Sequence, residues 1–212
     1  MKPTVNRYRE HFADKSFIAS LSVAIILFTC SLFVNFYAGN YASESVSNYV
    51  TDIILSNTQV YNLDEIFIYG TYIFWVFFAL LCLLSPQKIP FSLKSIALFV
   101  IIRSIFISLT HIAPFPTQMA VDPTSFMSEF TFGGDLFFSG HTGLPYLLAL
   151  IYWENKYLRV FFMLTSIMFG ITVLLAHLHY SIDVLSAFFI TYTIYHIALR
   201  IFKEDRDLFY KS

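Results

Sequence analysis

Six apolar stretches, at 17–38, 65–85, 93–113, 136–153, 158–176 and 181–202, constrain this chain more than any other feature. Each is about as long as the 20 residues an α-helix needs to cross a bilayer. In hydrocarbon every backbone N–H and C=O must be paired within its own segment, so spans of this length fold as helices. The expected fold is therefore all-α, a polytopic membrane protein with six transmembrane helices. Composition agrees, with 57% hydrophobic and 13% charged residues where a soluble domain carries roughly 25% charged. The first stretch is longer than a signal-peptide core and lacks a small-x-small cleavage site, so it reads as a retained anchor. The fourth is the least regular, because Gly140, Gly143 and Pro145 interrupt its beginning.

The basic residues set an orientation. Twelve of the thirteen Lys and Arg lie before span one (Lys2, Arg7, Arg9, Lys15), between spans two and three (Lys88, Lys94), between four and five (Lys156, Arg159) or after span six (Arg200, Lys203, Arg206, Lys211). The alternate connections, 39–64, 114–135 and 177–180, contain none. By the positive-inside rule both termini are expected in the cytoplasm. The division expected is a cytoplasmic tail over 1–16, a six-helix membrane domain over 17–202 and a second cytoplasmic tail over 203–212. A net charge of −1 offers no basic excess to neutralise phosphate backbones, which excludes nucleic acid as a partner. Cys30 and Cys82 are too few for a disulfide framework, and their separation in depth predicts two free thiols. No internal repeat, heptad pattern or low-complexity linker is evident.

Residues with chemical potential gather toward the connections free of Lys and Arg. Arg103 falls inside span three and Asp183 inside the start of span six. Fixed charges at such depth are costly, so both are expected to face the interior with partners. The plain reading is that they form one structural ion pair, and the sharper one is that they flank an anionic substrate group. Around them, Gly133-Gly134-Asp135-Leu136-Phe137-Phe138-Ser139-Gly140-His141-Thr142-Gly143 reads as a glycine-rich loop entering a helix. Free N–H groups at a helix start favour an anion, although a capping serine explains the same residues. In His177-Leu178-His179-Tyr180-Ser181-Ile182-Asp183, His179 and Asp183 share a face if the segment is helical. The carboxylate then fixes the imidazole tautomer and leaves Nε2 free to attack or to accept a proton. His177 is expected to point elsewhere, and His196 to be a packing histidine. Span three carries Arg103 and Thr110-His111 toward the same side. Arg103 lies roughly 15 Å of helical rise below residue 113, so either the site is sunken or Arg103 is structural.

At these residues the sequence resembles the type 2 phosphatidic acid phosphatase superfamily, and within it the sphingomyelin synthase branch. Three blocks carry the resemblance: Arg103-Ser104-Ile105 through Thr110 to Pro114-Phe115-Pro116, Gly134-Asp135 through Ser139-Gly140-His141-Thr142, and His179-Tyr180-Ser181-Ile182-Asp183-Val184. It covers about residues 65–200. Gly133 stands where the branch has a cysteine, and the Ser-Arg pair that the wider superfamily carries upstream of its second histidine is absent.

The resemblance implies transfer of a phospho-head-group, such as phosphocholine, from a membrane phospholipid to a lipid alcohol. His179 would be the nucleophile, forming a phosphohistidine, with Asp183 orienting it and His141 the general acid and base. Arg103, Asp135, Ser139 and Gly140 would hold phosphate or substrate. No metal and no cofactor is expected. The alternative is a lipid phosphate phosphatase, in which water takes the place of the alcohol. A transporter would spread its polar residues across both halves of the bilayer, and an intramembrane serine protease would leave Asp183 and Arg103 without a role. Charge counting places the site of this multi-pass protein on the extracytoplasmic or lumenal side.

Overall fold

The computed structural model describes residues 8–9, 11–120 and 134–210. Gly133 and much of the 114–135 connection lie outside them. The described residues form helices α1 (Lys15–Glu44), α2 (Asp64–Leu84), α3 (Ile89–Leu109), α4 (Gly140–Ile151), α5 (Lys156–Leu175), α6 (Ser181–Ile201) and α7 (Lys203–Tyr210). Several start where a polar side chain accepts from orphan N–H groups. Asp14 accepts from Ser16 N–H ahead of α1, and Asn155 accepts from the N–H groups of Tyr157 and Leu158 ahead of α5.

Five helices, α1, α2, α3 with the turn before it, α5 and α6, are long and apolar enough to cross a membrane. The fourth apolar stretch differs from expectation. Its helix begins at Gly140, after the interruption, and has 12 residues, a rise of about 18 Å. The physical reason is its position. Leu147, Leu148, Ala149, Leu150 and Ile151 are all buried, so α4 is apolar all round because it is the central rod of the bundle. α3, α5 and α6 pack around it. Close approach requires Gly143, where a Cβ would lie 2.7 Å from the Phe99 ring and 2.9 Å from Thr191 Oγ1. The irregular 134–139 segment precedes it, its Leu136 and Phe138 buried. Non-helical backbone at such depth is tolerated where protein covers it.

α1 lies against α3 along its length. The face it buries carries Phe17, Ala24, Ser31 and Ala38, with Gly39 and Ala42 beyond. Small residues at this spacing allow two membrane helices to approach closely. The recurrence is hidden in the sequence because the rest of α1 is apolar too. At the end of the bundle rich in Lys and Arg, Lys94 Nζ is 2.6 Å from Asp205 Oδ2 and donates to Ser20 Oγ at 2.8 Å. This joins α1, α3 and α7. Residues 203–210 therefore pack on the bundle, with Phe209 buried against Phe91 and Tyr152. Cys30 and Cys82 are free, as expected.

The opposite end is closed by a strap formed by the connection between α1 and α2. Asp52 Oδ2 accepts from Ser181 N–H and Oγ–H, each at 2.7 Å, while its Oδ1 accepts from the N–H groups of Ile54 and Leu55. Tyr61 N–H donates to Leu175 O, and Val50 N–H donates to Tyr180 Oη. The strap thus grips the turn from α5 into α6.

Candidate active site

Depth decides whether the predicted residues meet. Arg103 lies 14 residues into α3, about 21 Å from its start, close to the depth at which the short α4 begins. The 134–139 segment descends to the same level. Arg103 Nε donates to Phe138 O at 2.8 Å, and Nη2 donates to Asp135 O at 2.6 Å and to Asp135 Oδ2 at 3.1 Å. These bonds use three of the five guanidinium N–H groups and leave both on Nη1. A Cβ at Gly140 would meet Arg103 Nε at 3.3 Å, so the bare backbone lets the guanidinium lie against the start of α4. The site is sunken. Arg103 pairs with Asp135 and not with Asp183, so the one Arg103–Asp183 pair of the plain reading is not what forms.

The helix start is partly committed to structure. Ser139 Oγ accepts from Thr142 N–H at 3.4 Å and from Thr142 Oγ1–H at 3.2 Å, as an N-cap does. Its own N–H donates to Asp183 O at 3.1 Å. Ser139 therefore presents no free N–H, whereas those of Gly140 and His141 donate to no described group. Ser139 Oγ also has no histidine partner among the described residues, unlike a protease nucleophile. The His141 ring sits between Phe67 of α2, centroids 4.4 Å apart, and Phe169 of α5, at 6.0 Å.

His179 and Asp183 meet, though by a route other than a shared helix face. α6 begins at Ser181, and His179 belongs to the turn whose Leu178 and His179 N–H groups return to Val173 O. His179 Nδ1 lies 3.4 Å from Asp183 Oδ2, in contact but without hydrogen-bond alignment. Oδ2 accepts from Tyr180 N–H at 2.9 Å, Asp183 Oδ1 is left unpaired, and the residue is wholly buried. Asp183 thus caps α6 and anchors the histidine together.

Arg103, Asp135, Gly140, His141 and His179 all line one cavity of about 460 Å³. Ser139 and Asp183 stand behind them. Most of the remaining wall is apolar, from Phe28 and Trp75 to Ile96 and Phe99. A cavity of this size with a few convergent polar groups is the form a small-molecule site takes. His177 does point elsewhere. Its Nδ1 is 2.6 Å from Thr117 Oγ1 and its Nε2 3.3 Å from Thr58 Oγ1, and its φ of 53° turns the chain sharply. Burial holds this imidazole below its ordinary pKa, against the opposing charge of Asp52. His111 packs on Tyr41, and His196 on Tyr192 and Tyr195.

The sequence reading missed Asp52, Phe67 and Asn35. Asp52 was one acidic residue in a polar connection. Phe67 was one aromatic among many. Asn35, the one carboxamide in the first apolar stretch, was the signal available and went unused.

Residues 133–199 match the family model for the PAP2 superfamily C-terminal region. The match contains Asp135, Ser139, Gly140, His141, His179 and Asp183, and leaves α1, α2 and Arg103 outside. It supports membership of the PAP2 superfamily and an activity of the lipid phosphatase or phosphotransferase type. Together with the five long apolar helices it supports an integral membrane protein. No curated protein and no solved structure matches the chain.

Proposed function

We propose that the chain is an integral-membrane phosphotransferase that moves a phospho-head-group from a membrane phospholipid to a lipid alcohol, in the manner of the sphingomyelin synthase branch. One observation carries the reading: Arg103, His141 and His179, from three separated stretches of sequence, line a single cavity. His179 Nε2 attacks phosphorus, forming a P–N bond as the P–O bond to the leaving lipid breaks. His141 gives its proton to that departing oxygen. It then takes the proton of the incoming hydroxyl, whose oxygen attacks phosphorus and releases His179. Asp183 holds Nδ1 and stabilises positive charge on the ring. The Nη1 donors of Arg103 and the N–H groups of Gly140 and His141 receive the non-bridging oxygens, and preorganised donors of this kind are usually the largest catalytic contribution. Asp135, an anion itself, holds Arg103 and not the phosphate.

The apolar cavity wall supports transfer, since a dry site favours a lipid alcohol over water at the phosphohistidine. The superfamily match favours a second reading, in which water takes that step and the products are those of a lipid phosphatase. In the membrane, α4 together with the 134–139 segment makes the sixth crossing. The charge asymmetry supports cytoplasmic termini and a site on the extracytoplasmic or lumenal leaflet.

The test uses purified chain and a donor phospholipid with radiolabelled phosphorus, with and without diacylglycerol or ceramide. Wild type is expected to form an acid-labile phosphoenzyme that discharges to the acceptor, and His179→Ala to form none. Retention of more than a few per cent of turnover by His179→Ala would remove His179 from the role. Release of label to water in the presence of either acceptor would assign the phosphatase reading.

A further inference from the structure

Four polar wall residues of the cavity, Asn35, Thr71, Tyr72 and Gln118, are not used by the chemistry above; Thr71 is committed to Phe67 O, and Asn35 stands at the depth of Arg103. Asn35 lies in the membrane-spanning part of α1, and Phe28, Leu32 and Asn35 present one face of that helix to the cavity. The carboxamide makes no hydrogen bond to any described residue. Such a group is costly in an apolar helix unless something pairs with it, and no described residue does.

Its depth can be fixed from the helix that α1 packs against. Ala38 and Ala42 contact Ile107 of α3. Asn35 is one turn toward the basic end from Ala38, and Arg103 is one turn toward that end from Ile107. The carboxamide and the guanidinium therefore stand at about the same level on neighbouring helices. α2 contributes Thr71, Tyr72 and Trp75 to the same cavity. Yet α1 rests on α3 while α2 rests on α5, without extensive packing between α1 and α2. Helix packing between α1 and α2 therefore does not close that side of the cavity.

From this placement we infer that Asn35 is a substrate-binding residue, which hydrogen-bonds the neutral oxygens of the lipid backbone next to the phosphate. The inference rests on the proposed lipid-phosphate site. A phosphate held at Arg103, with its chains leaving between α1 and α2, brings its ester carbonyls or hydroxyl past α1 before the hydrocarbon begins. A carboxamide offers two donors and an acceptor, which suits these uncharged oxygens and does not compete with Arg103 for the anion.

The experiment measures equilibrium binding of two uncleavable lipids to purified full-length chain in detergent. One is the phosphonate analogue of a diacyl phosphatidic acid. The other is octadecyl phosphonate, which has the anion and a chain but no ester oxygens. Asn35→Leu, a change the membrane helix accommodates, is expected to weaken the diacyl lipid about three- to tenfold, the effect of one lost hydrogen bond. Octadecyl phosphonate should bind unchanged, and Asn35→Gln should restore part of the loss. Equal weakening of both lipids, or of neither, would overturn the role of Asn35. Selective weakening in a chain that forms no phosphoenzyme would leave Asn35 in place and overturn the catalytic reading. If wild type binds neither lipid, both fall.

Discussion

Replacing Arg103 separates its structural and chemical contributions. The side chain makes three hydrogen bonds, at 2.6, 2.8 and 3.1 Å, to the segment ahead of α4. Arg103→Met leaves the partly buried Asp135 carboxylate without its cation, and stranding one partner of such a bond costs about 1–3 kcal/mol. Adding Asp135→Asn removes the orphan charge, so the double variant should recover most of that stability. It should not recover activity. Loss of the Nη1 donors at a developing phosphate charge is expected to cost about 100- to 1000-fold in turnover, the range for one oxyanion donor. Arg103→Lys keeps the charge but cannot reach Phe138 O, Asp135 and the phosphate from one ammonium, so it should fold better than the methionine variant and still be slow. Unfolding in mixed micelles reads the first effect, and turnover of labelled phospholipid at saturating concentration reads the second. If Arg103→Met/Asp135→Asn turns over within about threefold of wild type, Arg103 is structural and the assignment of Nη1 to phosphate is wrong.

Three further outcomes are expected. Hydrogen bonds from Ser181, Leu55 and Ile54 outweigh burial and hold the Asp52 carboxyl below the ordinary carboxylate range. Its stabilisation should be complete above the unfolded value of about 3.9 and be lost as pH falls through the lower folded value. Asp52→Ala should therefore be less stable than wild type by a constant amount, about 2–4 kcal/mol, from pH 5 to 8 in micelle unfolding, and the gap should close in stronger acid. Activity should survive EDTA and be inhibited by vanadate, because among the described residues no group of three His, Cys, Asp or Glu is placed to hold a metal; loss on chelation with recovery on adding a divalent ion would refute this. With Cys30 and Cys82 replaced by Ala, a cysteine at the exposed Ile53 should react with an impermeant maleimide outside sealed cells, and one at Lys203 should not. The reverse pattern would invert the membrane orientation and the leaflet assigned to the site.

The sequence by itself determined that the chain is helical and apolar enough for a membrane, because run length and hydropathy are local quantities. It also named Arg103, Asp135, Ser139, Gly140, His141, His179 and Asp183 as candidates, from intramembrane charges, a glycine-rich helix entry, a histidine-aspartate spacing and a family resemblance. Tertiary structure decided how they combine. The fourth apolar stretch reads as a full span, yet its helix is short, because Gly140 and Ser139 start it deep in the bundle and its neighbours bury it on every side. Ser139 became a cap because its N–H and hydroxyl were taken up by Asp183 O and Thr142. Arg103 found Asp135 and not Asp183, since the depth at which a loop meets a helix depends on the lengths of both. His179 met Asp183 through a turn that Asp52 braces from a strap over 120 residues away in the chain. Asn35 stayed silent in the sequence for the same reason: nothing in a local window tells which face of an apolar helix borders a cavity.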